Sequence, residues 1–129
     1  MVRRTVVAIA LLVFTNFSAV AFDEESFCGA VKEFAAMLDK DAGTWVMQNV
    51  RLDGVAAACG ARLFSVKKSV NFTFGELEPN WRAIRQRGVN DVFCNNPQWK
   101  EAIIAGWTVG ESFTSPTGEY ADLIAKCSP

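Results

Sequence analysis

The 129-residue chain contains no histidine, which excludes many of the catalytic and metal-binding arrangements found in enzymes. Without an imidazole there is no Ser-His-Asp triad, no Cys-His pair and no histidine-liganded zinc. The sequence also lacks a C-x-x-C pair and a glycine-rich phosphate loop. With 13 basic and 14 acidic residues, it is not the strongly basic chain that binds nucleic acid. We therefore expect no enzyme, no metal or cofactor, and no nucleic-acid partner.

The N-terminal segment, residues 1–21, has the composition of a cleaved export signal. Arg3-Arg4 precedes an apolar run at 5–14. The segment ends at Ala19-Val20-Ala21, where the small residues are typical of a signal-peptidase site. Cleavage there would leave residues 22–129 as one domain with no stable membrane insertion. The alternative is that the segment is retained as an anchor, since counting on to Phe22 gives about 18 moderately apolar residues, near the shortest length that spans a membrane.

All four cysteines lie after this segment, and an even number in a short exported chain indicates two disulfides. Free, buried thiols are the alternative. The cysteines are widely separated, which is not typical of a metal site. Spacing alone leaves three pairings open. The four are Cys28, Cys59, Cys94 and Cys127.

The first half of the exported chain predicts a helix followed by a β-hairpin. Apolar residues recur at helical spacing over residues 24–42, and Gly43 is placed to end the helix. A strand rich in β-formers follows from Trp45 to Leu52, and Asp53-Gly54 predicts a tight type I′ turn before a second strand from Val55. The apolar stripe of the helix comprises Phe27, Val31, Phe34, Ala35 and Leu38.

The register of this hairpin turns one tryptophan away from the buried face. With a two-residue loop, Trp45 lies opposite the apolar face and near Arg62. After Leu63 the alternation of apolar residues changes phase. We interpret that change as a bulge or bend near Gly60 or Phe64.

The second half predicts a helix, a short helix and another hairpin. Residues 81–94 carry a helical stripe of apolar residues with arginines outside it. Asn96-Pro97 predicts the start of the short helix, since Asn is a good cap and Pro is favoured at the first helical position. The last hairpin turns at Ser115–Glu119, which pairs Phe113 with Ala121.

Together the halves predict an α+β fold in which helices pack on an antiparallel four-stranded sheet of two hairpins. Each half has the order helix, strand, turn, strand, which indicates an αββ-αββ pseudo-repeat, although slight residue identity leaves coincidence as the alternative. The arrangement resembles small exported domains of tandem αββ units, such as the β-lactamase-inhibitor protein type, and this likeness carries no function across. Joining each helix to the second strand of its own hairpin favours the pairs Cys28–Cys59 and Cys94–Cys127.

Basic and aromatic residues outside the predicted core form a candidate interaction surface. Lysines of the bulged strand and arginines of the second helix would make one positive patch if the two elements are neighbours. Exposed tryptophan and arginine side chains are typical anchors of protein interfaces. An ordinary solvated face is the alternative. The candidate surface comprises Trp45, Arg62, Lys67, Lys68, Arg82, Arg85 and Arg87.

These features predict a periplasmic or secreted, non-catalytic protein-interaction module, inhibitor-like or an envelope accessory protein, with a protein partner in the cell envelope. The alternative is a carrier of a small apolar or aromatic ligand between sheet and helices, which a sealed core would exclude. A hydrolase that uses carboxylates would need two acids facing each other across a cleft. The close acidic pairs here, Asp39 with Asp41 and Glu76 with Glu78, are neighbours on single segments.

Overall fold

Three α-helices and five strands form the part of the chain that the computed structural model describes, residues 22–129. The helices are α1 (Glu24–Asp39), α2 (Trp81–Cys94) and α3 (Pro97–Ile104). The strands are β1 (Trp45–Met47), β2 (Val50–Ala58), β3 (Leu63–Val70), β4 (Thr108–Thr114) and β5 (Tyr120–Ile124). The predicted export signal, residues 1–21, lies outside the described residues. Within residues 22–129, no helix has both the length and the apolar character needed to cross a membrane.

The strands form one mixed sheet in the order β1-β2-β3-β4-β5. All neighbours are antiparallel except β3 and β4, which are parallel. The α+β class is confirmed, but the prediction of four antiparallel strands is wrong in the strand number and in this one pair. The parallel pair arises because α2 and α3 connect β3 to β4, and a parallel connection requires such a crossover.

The predicted turn at Asp53-Gly54 is wrong, because this pair lies inside β2, where the register against β3 shifts between Leu52 and Gly54. The Asp53 carboxylate accepts hydrogen bonds from Ser69 Oγ and, at 2.9 Å, from Arg51 Nε. These partners hold Asp53 within a bulge, so the strand continues where the local sequence predicts a reversal.

The chain reverses at two other places instead. Asn49, with φ of 70°, lies in the short turn between β1 and β2, a conformation that asparagine tolerates well. The change of phase predicted as a bulge is the turn between β2 and β3, where Arg62 has φ of 49°. Trp45 therefore pairs with Arg51, at the opposite end of β2 from Arg62. The predicted neighbourhood of Trp45 and Arg62 is wrong for this reason.

Helix α1 has the buried face and the N-terminal acids that its sequence predicts. Phe27, Val31 and Ala35 are buried, and Asp23 caps the helix by accepting from Glu25 N at 3.1 Å. The helix ends at Asp39, before the predicted limit of residue 42. The Asp39 carboxylate accepts from Val55 N at 3.0 Å, so the end of the helix is tied to the bulged strand.

We predict that the capping role of Asp23 produces a pH-dependent contribution to stability. Hydrogen bonding to its carboxylate, first from the Ser26 backbone N–H and next from the Ser26 hydroxyl, lowers the pKa of Asp23 from the ordinary value of 3.8. A lowered pKa in the folded state stabilises the protein above the unfolded-state pKa, and this stabilisation is lost as the pH falls through the folded-state pKa.

Thermal melts of Asp23→Ala should therefore show a lower midpoint than the parent at pH 7, and the difference should shrink below about pH 3.8 as the parent carboxylate protonates. Asp23→Ser is the matched control, because serine caps a helix without a charge. A constant difference between Asp23→Ala and the parent across the acid range would contradict the prediction.

The second half of the chain follows its predicted pattern closely. Asn96 caps α3 by accepting from Gln98 N at 3.0 Å, and Pro97 occupies the first helical position. Phe113 pairs with Ala121, which confirms the predicted register of β4 and β5. The turn ends at Gly118, whose φ of 86° suits glycine at that position.

Aromatic side chains form the centre of the core between the helices and one face of the sheet. Phe64 of β3 is fully buried, and its ring lies 4.9 Å from the ring of Trp99 on α3. Trp99 also contacts Phe27 of α1 at 5.4 Å and Phe93 of α2 at 5.2 Å, measured between ring centroids. The core therefore joins all three helices to the sheet.

Both predicted disulfides are confirmed: Cys28 bonds to Cys59, and Cys94 bonds to Cys127. The first joins α1 to the residue that follows β2, and the second joins the end of α2 to the tail beyond β5. Helices α1 and α2 are thus each tied to a segment that follows a strand. The predicted αββ-αββ order describes the fold only in part, because β3 has no counterpart in the second half.

Candidate ligand-binding groove

An open groove of about 520 Å³ lies between one end of the sheet and the N-terminal half of α2. None of the buried residues of the aromatic core cluster lines it, so the groove is a surface concavity beside the core. The walls come from β1 to β4, from α2 and from the connector 71–80, and they are largely apolar. Apolar side chains that face one another across the groove include Val70, Phe72, Leu77, Trp81, Ile84 and Phe113.

The groove exists because only part of α2 packs into the core. Val89 and Phe93 in its second half are buried, whereas Ile84 in its first half is 50% exposed. The apolar stripe that predicts a buried helix face thus has two parts, one in the core and one in the groove. Gly88 lies between them and lines the groove without a side chain to fill it.

The outer wall of the groove is held by hydrogen bonds of the connector. A short 3-10 turn at Phe74–Glu76 begins where Thr73 N donates to Glu76 Oε2 at 2.8 Å. Phe74 N donates to Glu119 Oε1 in the β4–β5 turn at 3.0 Å, and the Phe74 and Trp81 rings lie 5.0 Å apart. Because these contacts tie the connector to two other elements, the groove is preformed.

A buried carboxylate lies between two cationic side chains beside the groove. Glu111 of β4 has a side chain only 8% exposed. It binds Lys68 Nζ of β3 at 3.0 Å through Oε2, and it binds the Arg85 guanidinium of α2 through Oε1. Both cations lie 5.7 Å from the centre of the Phe113 ring. We call Lys68, Arg85 and Glu111 the charged cluster.

The structure distributes the predicted interaction residues over separate parts of the surface. Lys68 and Arg85 come together in the charged cluster, and Arg82 lies over the ring of Trp81, 4.9 Å away. Lys67, next to Lys68 in β3, points to the other side of the sheet because side chains alternate along a strand. Arg87 is exposed on α2.

The remaining two lie outside the charged cluster. Arg62 binds Glu24 at 2.9 Å and the carbonyl oxygen of Ala105 at 3.0 Å, at the opposite end of β3. Trp45 is 56% exposed on the edge strand β1. The seven residues do not form one continuous patch, and their role in protein binding stays a prediction.

Glu111 is the functional candidate that the sequence reasoning missed. The predicted β4 register turns Val109 and Phe113 toward the helices, and the same alternation places Glu111 between them on that face. An acid at an inward-facing strand position is unusual and needs a partner. The inward-facing position of Glu111 in the predicted strand is therefore the sequence feature that could have identified it. Among residues 22–129, no group of three or more acidic or cysteine side chains could hold a metal ion.

Comparisons with known proteins show a shared fold alone. No protein-family model matches the chain, and no curated protein matches it. A similar solved structure is that of a "putative secreted protein" from Pseudomonas aeruginosa, with a TM-score of 0.57 and 15% sequence identity. The similarity covers 80% of this chain and 91% of that chain.

Proposed function

We propose that this protein is an exported, non-catalytic binding protein that holds a small apolar or aromatic ligand in the groove between the sheet and α2. The observation that carries the proposal is the preformed groove of about 520 Å³ with largely apolar walls. Pockets of roughly 300–1,000 Å³ with apolar walls and a few polar groups are typical small-ligand sites.

An oxidising compartment, the periplasm or the exterior, is the location that fits this proposal. Two disulfides stabilise the fold, and such bonds persist mainly outside the reducing cytosol. The structurally similar Pseudomonas protein is also described as secreted. The A-x-A motif before Phe22 supports export of the segment that forms the domain.

The groove favours a ligand carrier over the protein-interaction module that the sequence favours. The candidate surface of that module is divided, because Arg62 lies at the opposite end of β3 from Lys68. A concave site suits a ligand that is enclosed on several sides. The buried carboxylate beside the groove, Glu111, has both of its oxygens bound by cations, so neither oxygen is directed at a ligand in the groove.

The proposal is tested by a substitution series at Gly88, where a Cβ atom would meet only Arg85 Nη1, at an ordinary 3.8 Å. Gly88→Ala should fold and bind like the parent, whereas the ring of Gly88→Phe should fill the groove. Both substitutions replace a helical glycine by a residue of better helix propensity, so we expect no loss of folding. The series thus separates blocking of the site from damage to the fold.

The measurement is a fluorescence titration with N-phenyl-1-naphthylamine, a neutral apolar dye that brightens when it leaves water. The parent and Gly88→Ala should both bind the dye, and Gly88→Phe should bind it at least about tenfold more weakly. Circular dichroism melts of the three proteins check the fold. A parent that does not bind the dye, or an unimpaired Gly88→Phe, would overturn the proposed function.

A further inference from the structure

We infer that the ligand is an amphiphile with one negative charge, whose apolar body occupies the groove and whose anionic head group binds Lys68 and Arg85. This inference rests on the proposed function, because it assigns the chemistry of the ligand at the same site. Both cations line the groove, whereas the carboxylate that holds them lies behind its wall in β4.

The two cationic side chains keep hydrogen-bond donors that Glu111 does not use. Lys68 Nζ carries three N–H groups and donates to one acceptor, Glu111 Oε2, among the described residues. Arg85 directs Nε and Nη2 to Glu111, while its Nη1 lies beside Gly88 on the wall of the groove. A head-group oxygen at that wall could therefore accept from both side chains.

The charges of the cluster leave one positive charge without a counter-ion. Two cations share one carboxylate, Glu111, and the Arg85 side chain is 41% exposed. Glu78 is the carboxylate that lines the groove itself, and because it is exposed to solvent, water screens its charge. A single anionic group would therefore complete the balance at the inner end of the groove.

Apolar and charged surfaces meet at Phe113. The side chains of Lys68 and Arg85 both lie against its ring, which also forms part of the apolar wall. A ligand that lay on this ring would place its head group next to the cations while its body stayed among apolar side chains. This juxtaposition matches an amphiphile better than a uniformly apolar ligand.

The inference is tested by displacement of N-phenyl-1-naphthylamine from the parent with decanoate, decanol and decylamine. The three compounds share a ten-carbon chain and differ in the charge of the head group. Decanoate should bind about tenfold more tightly than decanol, since a head group bound by two cations gains charge-assisted hydrogen bonds. Decylamine should bind more weakly than decanol.

The outcomes separate this inference from the proposed function. If decanol and decanoate displace the dye equally well, the groove binds apolar ligands and the inference of an anionic head group is wrong. If the parent does not bind the dye, the proposed function fails as well. Stronger binding of decylamine than of decanoate would also overturn the inference.

Variants of the charged cluster give a second test in which opposite changes are expected. Glu111→Gln removes the competing carboxylate, so the affinity for decanoate should rise by about threefold or more while that for decanol is unchanged. Arg85→Gln should lower the affinity for decanoate about tenfold and that for decanol much less, because a neutral head group makes no charge-assisted hydrogen bond. Damage to the fold would change both ligands together, and a fall in decanoate affinity in Glu111→Gln would contradict the inference.

Discussion

Replacing Gly110 with alanine should lower the free energy of unfolding by ~3 kcal/mol or more. Gly110 lies in β4 directly opposite Ile124 of β5. A Cβ atom at this position would overlap the carbonyl oxygen of Leu123 and stand 3.0 Å from Ile124 Cα. Both obstacles are backbone atoms, so a side-chain rotation cannot relieve the overlap. The two strands would have to separate where Leu123 packs into the core.

The measurement is chemical denaturation of Gly110→Ala followed by circular dichroism. Gly60→Ala is the matched control, because a Cβ atom there meets nothing within 4 Å and the substitution should cost little. A displaced β4 would also move Phe113, which lines the groove, so binding of decanoate should weaken together with stability. Equal stability of the two alanine variants would show that the strands do not approach as closely as the structure indicates.

The elements that the sequence predicts correctly are those defined by local chemistry. The buried face of α1, the Asn96-Pro97 start of α3 and the register of β4 with β5 each depend on residues within one turn or hairpin. In the last case the Pro-Thr-Gly turn determines which residues face each other. The repeated order of helix and hairpin in the two halves also favours the correct disulfide pairs.

The prediction fails where residues far apart in sequence change the outcome. Asp53-Gly54 has the local chemistry of a hairpin turn, but Asp39 on α1 and Ser69 on β3 hold it within a continuous strand. The parallel pairing of β3 with β4 has no local signal, because it is made across a long connection through α2 and α3. When one turn is misplaced, every later residue of the strand is assigned to the wrong cross-strand partner. The residue predicted to lie near Trp45 is wrong for this reason.

The candidate site could be predicted only as separate parts. Lys68 and Arg85 are recognisable as candidate binding residues, and Trp81 as part of an apolar helix stripe. The sequence assigns that stripe to the core, because nothing local distinguishes a buried helix face from one that lines a groove. The groove depends on where α2 leaves the sheet, and this is a property of tertiary packing.

Removing either disulfide should lower the free energy of unfolding by ~3–4 kcal/mol, because each bridge restricts the unfolded chain over a loop of similar length. The separations are 31 residues for Cys28–Cys59 and 33 residues for Cys94–Cys127. The variants are the two paired alanine substitutions, measured by chemical denaturation against the parent. Since the loops are nearly equal, loop-closure entropy alone predicts nearly equal losses.

The two bridges differ in the native contacts that surround them. Removing each bridge should therefore affect the folded state differently, even if the losses of stability are equal. Helix α1 keeps its buried Phe27 and Val31 when the first bridge is removed. Beyond Ala125, which is itself buried in the core, the tail keeps hydrogen bonds such as that from Lys126 N to Asn90 Oδ1, so hydrogen exchange from Lys126 onward should rise selectively when the second bridge is removed. Free thiols in the native parent, or a parent whose unfolding is insensitive to reductant, would contradict both the expected losses and the proposed location in an oxidising compartment.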